Sequence, residues 1–100
     1  MALETCEIHI EKLKAGFLLG KDRCRFYAEA IGPKGRYNAA VSDEFDVYED
    51  RLYLIEEFTE RDKQFIKSVL DQLIIQLTSD GWQPLTVGRN WWNYRFQRQI

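Results

Sequence analysis

The chain has few of the residues that mark specialised chemistry. Among its 100 residues are two cysteines, two prolines and one histidine, and no apolar run approaches the roughly 20 residues of a membrane span. Two cysteines are too few for a disulfide framework. Cys6 and Cys24 each lie in an alternating segment typical of a strand, so we expect two buried, reduced thiols. These features predict a cytoplasmic protein with no membrane partner.

Known motifs for nucleotide, metal and covalent chemistry are also missing. The segment Gly16–Lys21 has three residues between its glycines, where a phosphate-binding loop has four, and Asp22 replaces the hydroxyl residue. His9 has only its two glutamate neighbours as metal ligands, and a surface histidine between solvated carboxylates explains that pattern better. Alternation places His9 on the face opposite Cys6, so the two cannot form a nucleophile and base. We predict a non-enzymatic protein with no catalytic residue, no metal and no cofactor.

Charge is nearly balanced overall but unevenly distributed. The net charge is −2, yet the stretch from Asp43 to Glu60 holds eight acidic residues and one basic residue. From Gly81 to the end there are three arginines and no acid. Phosphate binding needs a concentrated positive field, so this distribution disfavours nucleic acid as a general partner. Crowded acids are more typical of a solvated or partner-facing segment.

The remaining composition is that of one folded domain spanning residues 1–100. Hydrophobic residues make up 45% of the chain and aromatic residues 14%, which is enough for a single core. Period-2 alternation predicts strands over 5–13, 23–31 and 36–42, with a turn at Gly32-Pro33-Lys34-Gly35. The register after this turn stays open, because a bulge at Gly35 would change which later side chains face the core. Residues 44–58 are the least regular, and their apolar centre at 52–55 favours a short strand.

One amphipathic helix is the clearest predicted element. Thr59 followed by Asp62 resembles a capping box, and Gly81 supplies a natural end. The residues of its apolar stripe recur at spacings of three and four and are expected to lie on a sheet: Phe65, Ile66, Val69, Leu70, Leu73, Ile74 and Leu77.

Two further strands, 82–87 and 91–99, are predicted after the helix, joined at 88–90. The fold class is therefore α+β: an antiparallel sheet of about five strands with one helix packed on one face, in the order β-β-β-(β)-α-β-β. Alternation in the last strand puts Trp92, Tyr94 and Phe96 in the core.

The C-terminal segment carries a resemblance. Its motif is Asp80-Gly81-Trp82-x-Pro84, then Gly88, then Trp91-Trp92-x-Tyr94-Arg95-Phe96-x-Arg98. This resembles small uncharacterised bacterial proteins in which a helix runs into a D-G-W-x-P turn and a closing W-x-Y-R-F strand. The resemblance covers about the last forty residues well. It implies a compact α+β domain and carries no established activity and no site residues.

One surface stands out as a candidate interaction site. If Trp92 faces the core, the other face of the last strand carries Trp and Arg, which are enriched at binding hot spots. The predicted interaction surface comprises Trp91, Asn93, Arg95, Gln97 and Arg89. A second layer of the same chain over Trp91 is the competing explanation. We expect an interaction or regulatory module that self-associates, as a homodimer, or binds another protein. The alternative is single-stranded nucleic-acid binding, with Trp91 and Tyr27 stacking on bases beside the arginines 23, 25, 89 and 95.

Overall fold

Alternating hydrophobicity in the first half of the chain produces three long strands. The computed structural model describes residues 2–100 and contains a five-stranded antiparallel sheet in the order β3-β2-β1-β5-β4. The strands are β1 (Leu3–Lys14), β2 (Asp22–Gly32), β3 (Gly35–Val47), β4 (Gln83–Pro84) and β5 (Arg95–Gln99). A 3₁₀ helix (Glu49–Glu57) and the long helix α1 (Glu60–Ser79) lie between β3 and β4. The predicted α+β class is confirmed.

One face of the sheet is the core. On the inner strand β2, Cys24, Phe26, Ala28 and Ala30 are all fully buried, while the residues between them are half-buried. Strand β1 contributes its even-numbered side chains to the same face. Burial raises the pKa of Cys6 to about 12 and that of Cys24 to about 11. Both thiols are therefore buried and protonated at neutral pH, as the alternation predicts.

The β2–β3 hairpin settles the register that the sequence leaves open. Gly32 pairs with Gly35, whose φ of 110° lies in the region that favours glycine. Two irregularities follow in β3, at Ala39 and opposite Phe26, where the Ser42 hydroxyl accepts a hydrogen bond from the Phe26 backbone N–H (2.9 Å). These bulges place Ala40 in the core, while Val41 pairs with the outward residue Tyr27 and is exposed at the sheet edge, where it also borders a depression beside α1.

The helix begins and ends where predicted, but its buried stripe is narrower than the predicted apolar stripe. The Thr59 hydroxyl accepts from the Asp62 backbone N–H, and Gly81, at φ 92°, ends the helix with the Trp82 N–H donating to Leu77 O (3.0 Å). Phe65 is wrongly predicted as a core residue, since it is 54% exposed. Neighbouring Ile66 lies one residue further round the helix and fills that part of the core. Neither helix within residues 2–100 has the length and apolar character to cross a bilayer.

The strand predicted at 52–55 is wrong. Strand β3 continues to Val47, and Glu49–Glu57 then forms a 3₁₀ helix with a kink at Leu54. Its two buried residues, Leu52 and Ile55, are three apart, the spacing that aligns side chains on a 3₁₀ helix. The acidic flanks remain at the surface while these two side chains close the core.

The predicted C-terminal strands are also shorter than expected. The first is reduced to Gln83–Pro84, because proline has no N–H to extend the ladder, and the second begins only at Arg95. Residues 85–94 form an irregular connection tied by the bonds from Leu85 N to Arg95 O (2.7 Å) and Gly88 N to Asn93 O (2.6 Å).

A polar network closes the end of the core nearest the helix C-terminus. Buried Glu4 accepts hydrogen bonds from the Tyr37 hydroxyl (2.7 Å) and Arg98 Nε (3.1 Å). Arg98 also donates to Asp80 O (3.1 Å) and lies over the Trp82 ring, 4.4 Å from its centroid. The hydrogen bonds from Tyr37 and Arg98 hold the pKa of Glu4 below its ordinary value against the opposing effect of burial. This network joins β1, β3 and β5 to the end of α1.

The narrowed helix stripe predicts unequal effects of two helix substitutions. Leu73→Ala should lower the free energy of unfolding by about 2–5 kcal/mol, because Leu73 is 1% exposed and its loss leaves a cavity. Phe65→Ala removes a larger side chain from an exposed position and should change it by less than about 1 kcal/mol. Urea denaturation followed by circular dichroism measures both, and equal losses would contradict the assigned face.

The Glu4 network predicts an acid-dependent contribution to stability. Because the folded-state pKa of Glu4 is lowered from 4.5, the ionised carboxylate stabilises the fold above that pH, and the contribution is lost as pH falls below it. Glu4→Gln cannot ionise. The stability difference between wild type and Glu4→Gln should therefore be constant from pH 5.5 to 7.5 and should shrink below about pH 4.5. Urea midpoints across this range measure it; a difference independent of pH would exclude the assigned role.

Candidate functional site

The face of the sheet opposite the core is uncovered except at one edge, where residues 85–88 lie against it. We call it the open face; it carries the outward side chains of four strands, and none of those described is buried. Helix α1, the 3₁₀ helix and the 85–94 connection supply buried residues to the other side. The outward residues include Thr5, Glu7, His9 and Glu11 on β1, Arg25, Tyr27, Glu29 and Ile31 on β2, Val41 on β3, and Arg95 and Gln97 on β5.

An apolar stripe crosses the centre of the open face. Register pairs His9 with Tyr27 and Tyr27 with Val41 across three adjacent strands, and the His9 and Tyr27 rings are 5.7 Å apart. Burial of the Tyr27 hydroxyl, together with the nearby charges of Glu29 and Glu11, raises its pKa, so this group is neutral at physiological pH. The stripe offers an aromatic and aliphatic surface to a partner.

A shallow depression of about 310 Å³ lies beside this stripe, where β1, β2 and β5 meet the 85–88 segment. Glu7 lies opposite Glu29 on one side and Arg95 on the other. The Glu7 carboxylate approaches Gly88 so closely that a Cβ there would be 2.9 Å from its oxygen. Arg95 turns away towards the rim and donates to Thr86 O (3.1 Å). The depression is therefore a mixed-charge hollow, open to solvent.

Most charges of the open face are already paired within the chain. Arg25 binds Glu11, and Arg36 Nη1 lies 2.9 Å from Glu29 Oε1. Arg23 Nε lies 3.2 Å from Asp46 Oδ1. These cross-strand pairs engage Arg23 and Arg25, two of the four arginines that the nucleic-acid alternative needs for phosphate contacts.

Trp91 does not belong to the open face. It packs against the core, edge-on to Phe26 (ring centroids 6.4 Å apart) and Trp92 (5.5 Å), and its Nε1–H donates to Leu52 O (2.8 Å). Its half-buried ring lines a depression of about 230 Å³ with Tyr94, between α1 and the 3₁₀ helix. Trp91 does not have the predicted outward orientation. Residues 91–94 are not a strand, so period-2 alternation does not apply to them. Of the two expected stacking platforms for nucleic acid, only Tyr27 faces outwards.

Asn93 is also removed from the predicted surface. It is buried, its Nδ2 donates to Ile8 O (2.8 Å), and its Oδ1 accepts from the Asn90 N–H (2.9 Å). Together with the bond from Ile8 N to Tyr94 O (2.9 Å), it joins the irregular connection to the edge of β1. The Asn93 side chain thus supplies a hydrogen bond to β1 that a backbone group would supply if the strand continued through residue 93.

The other three predicted surface residues are accessible. Arg95 and Gln97 lie on the open face, opposite Glu7 and Thr5 of β1. Arg89 is exposed in the 88–90 turn. The principal residues that the sequence-based surface omitted are His9, Tyr27 and Val41. Alternation already assigned His9 to the outward side; the missing information was which strands are neighbours, because that brings the three side chains into one stripe.

No group of three or more histidine, cysteine, aspartate or glutamate side chains in residues 2–100 is arranged to hold a metal ion. His9 and Cys6 lie on opposite faces, as expected. Both cysteines have raised pKa values and are buried, which leaves little thiolate at neutral pH.

The role assigned to Asn93 predicts a strong effect from a nearly isosteric change. Asn93→Asp loses the donor to Ile8 O and buries a carboxylate beside a carbonyl, so the free energy of unfolding at pH 7 should fall by about 1–3 kcal/mol or more. Asn90→Asp in the same turn is the matched control and should change it by less than about 0.5 kcal/mol. Urea denaturation measures both; similar small effects would mean that the Asn93 amide is solvated.

Comparison with known proteins adds no assignment: no family model matches the chain, and no curated protein or solved structure matches it significantly. The candidate site is therefore defined by the geometry and chemistry of the chain's own residues.

Proposed function

We propose that this chain is a non-enzymatic interaction module that associates with a second copy of itself through the open face. The observation that carries the proposal is the one-sided sheet, whose core face is covered by the chain while its open face is not. A small domain gains stability by burying the apolar part of such a face against a partner.

The apolar stripe supplies the centre of the proposed interface. His9, Tyr27 and Val41 lie side by side on adjacent strands, and Ile31 and Leu85 extend the apolar surface towards one end. Ion pairs such as Arg25–Glu11 and Arg23–Asp46 surround it. An apolar centre with a polar rim is the usual organisation of protein–protein interfaces.

Internal charge pairing makes a second copy an acceptable partner. Because acids and bases on this face are already matched, two copies meet without strong like-charge repulsion. A two-fold axis parallel to the strands brings the β3 edge of one copy towards the β5 edge of the other.

The available area fits a modest dimer. Three strands of about 11 residues cover roughly 36 Å by 14 Å, and β5 extends this to roughly 600 Å². That is the lower end of the area each partner contributes to a specific interface. We therefore expect a monomer–dimer equilibrium in the micromolar range rather than an obligate dimer.

Sedimentation velocity between 1 and 100 µM tests the proposal. The wild-type protein should shift from monomer to dimer as concentration rises. Val41→Glu puts a charge in the stripe at a position 41% exposed in the monomer, and it should raise the dissociation constant at least tenfold without loss of folding. Ile31→Glu is a second variant with the same expected effect.

Tyr53→Glu is the matched control, because Tyr53 is exposed on the 3₁₀ helix, on the covered side of the sheet. It should dimerise like the wild type. A wild-type chain that stays monomeric at 100 µM, or open-face variants that dimerise like Tyr53→Glu, would refute the proposal.

A further inference from the structure

The connection between β1 and β2 projects three apolar side chains into solvent. We call residues Gly16–Gly20 the tip loop. Phe17, Leu18 and Leu19 are 85%, 84% and 90% exposed, the highest values among the large hydrophobic residues described. Single exposed apolar residues are ordinary on protein surfaces, whereas three such exposed side chains in succession form a patch that indicates a binding role.

The tip loop has a defined conformation. The Gly20 N–H donates to Phe17 O (2.9 Å), and the Gly16 N–H donates to Asp22 Oδ1 (2.8 Å). The Tyr48 hydroxyl donates to Leu19 O (2.7 Å), which ties the loop to the segment after β3. Hydrogen bonds from Gly16 and Glu49 backbone N–H groups lower the pKa of Asp22, so this anchor stays ionised at neutral pH.

Two local features show that the exposed arrangement is specified by the fold. Leu18 has a φ of 57°, and it is the only non-glycine residue with positive φ in the described part of the chain. A Cβ on Gly16 would lie 1.9 Å from Gly20 O, so no other residue fits there. The chain thus accepts an unfavourable backbone conformation at Leu18 while leaving its side chain in water, and such strain is typical of functional loops.

The tip loop lies at one end of an elongated molecule. The principal extents are 49 × 24 × 21 Å, and strands of about 11 residues run roughly 36 Å. The β1–β2 connection therefore lies at an end of the long axis. It is a convex projection that can enter a soft medium without a matching cavity.

Three lysines flank the apolar tip in the sequence, and the acids Asp22, Glu49 and Asp62 lie beside them. The three lysines are Lys12, Lys14 and Lys21. Lys12 Nζ lies 3.8 Å from Glu49 Oε2, and Lys21 Nζ lies 3.4 Å from Asp62 Oδ2. Both pairs are exposed, and exposed pairs of this length contribute little. These lysines can exchange their partners for anionic headgroups while their methylene chains follow the apolar tip.

We propose that the tip loop inserts Phe17, Leu18 and Leu19 into the interfacial region of an anionic lipid bilayer. The convex shape, three consecutive apolar side chains and three flanking lysines match what a bilayer surface accepts: apolar groups at the headgroup–acyl boundary and cations at the phosphates. A protein partner would need a complementary concave pocket. Interfacial insertion requires no spanning segment, so it departs from the predicted lack of a membrane partner without conflicting with the lack of a spanning helix.

Co-sedimentation with vesicles tests the proposal. The full chain should pellet with vesicles of 70% phosphatidylcholine and 30% phosphatidylserine, and binding should fall at least threefold with phosphatidylcholine alone or in 0.5 M salt. A variant with Phe17, Leu18 and Leu19 all changed to Ser should lose at least tenfold in binding. Lys14→Gln combined with Lys21→Gln should weaken binding to the anionic vesicles only.

The matched control changes exposed apolar residues elsewhere: Phe65→Ser with Ile75→Ser on the outer side of α1, both 54% exposed. It should bind vesicles like the wild type. Failure of the wild type to pellet with anionic vesicles would overturn the proposal, as would undiminished binding by the triple variant. If the triple variant instead abolishes self-association in sedimentation velocity, the tip loop binds protein and the bilayer assignment is wrong.

A single environment-sensitive label gives a second readout. Leu19→Cys introduces an accessible thiol, while Cys6 and Cys24 are buried with raised pKa values and should not react at neutral pH. The label emission should shift to the blue on addition of anionic vesicles. The same label on Tyr53→Cys should not shift; equal shifts at both positions would show non-specific adsorption and exclude the proposed orientation.

Discussion

The burial of Phe26 is the constraint on which the rest of the structure depends. It lies at the centre of β2, fully buried, with Phe45 at 4.9 Å and Trp91 at 6.4 Å between ring centroids. Strand geometry sends alternate side chains to opposite faces, so covering Phe26 obliges the rest of the chain to cover one side of the sheet. The helix, the 3₁₀ segment and Trp91 all cover this side of the sheet. The burial of Phe26 does not require a cover on the other side.

Features with a local cause could be predicted from the sequence. The alternation around Cys24 and Phe26, the helix with its Thr59 cap and the turn closed by Gly35 all depend on side chains within a few residues. Each has one dominant physical preference, and tertiary packing agrees with it. The same alternation gives the sheet one core face and one open face. It also places Arg95 and Gln97 on the open face.

Features set by distant contacts could not be predicted. Trp91 is oriented by a carbonyl 39 residues away, at Leu52, and Asn93 by one 85 residues away, at Ile8. Taken alone, the last segment has the alternation of a strand. That alternation wrongly predicts that Trp91 and Asn93 face outwards. Two of the five residues of the predicted interaction surface were misplaced in this way. The stripe of His9, Tyr27 and Val41 was missed for a related reason, since strand order and the β3 bulges decide which outward residues become neighbours.

The preferences of individual residues also fail to predict the tip loop, but there packing inside the chain does not explain the exception. The displaced aromatic Trp91 is explained by the core it completes, whereas the strained backbone of Leu18 completes nothing inside the chain. A compact domain can usually bury leucine and phenylalanine by a small change in a surface loop, and here hydrogen bonds from Gly16 and Tyr48 hold the loop in the arrangement that prevents it. Stability of the monomer does not account for that cost. Insertion into a bilayer, as we propose, would account for it, because the same three side chains would then gain the burial that the fold denies them.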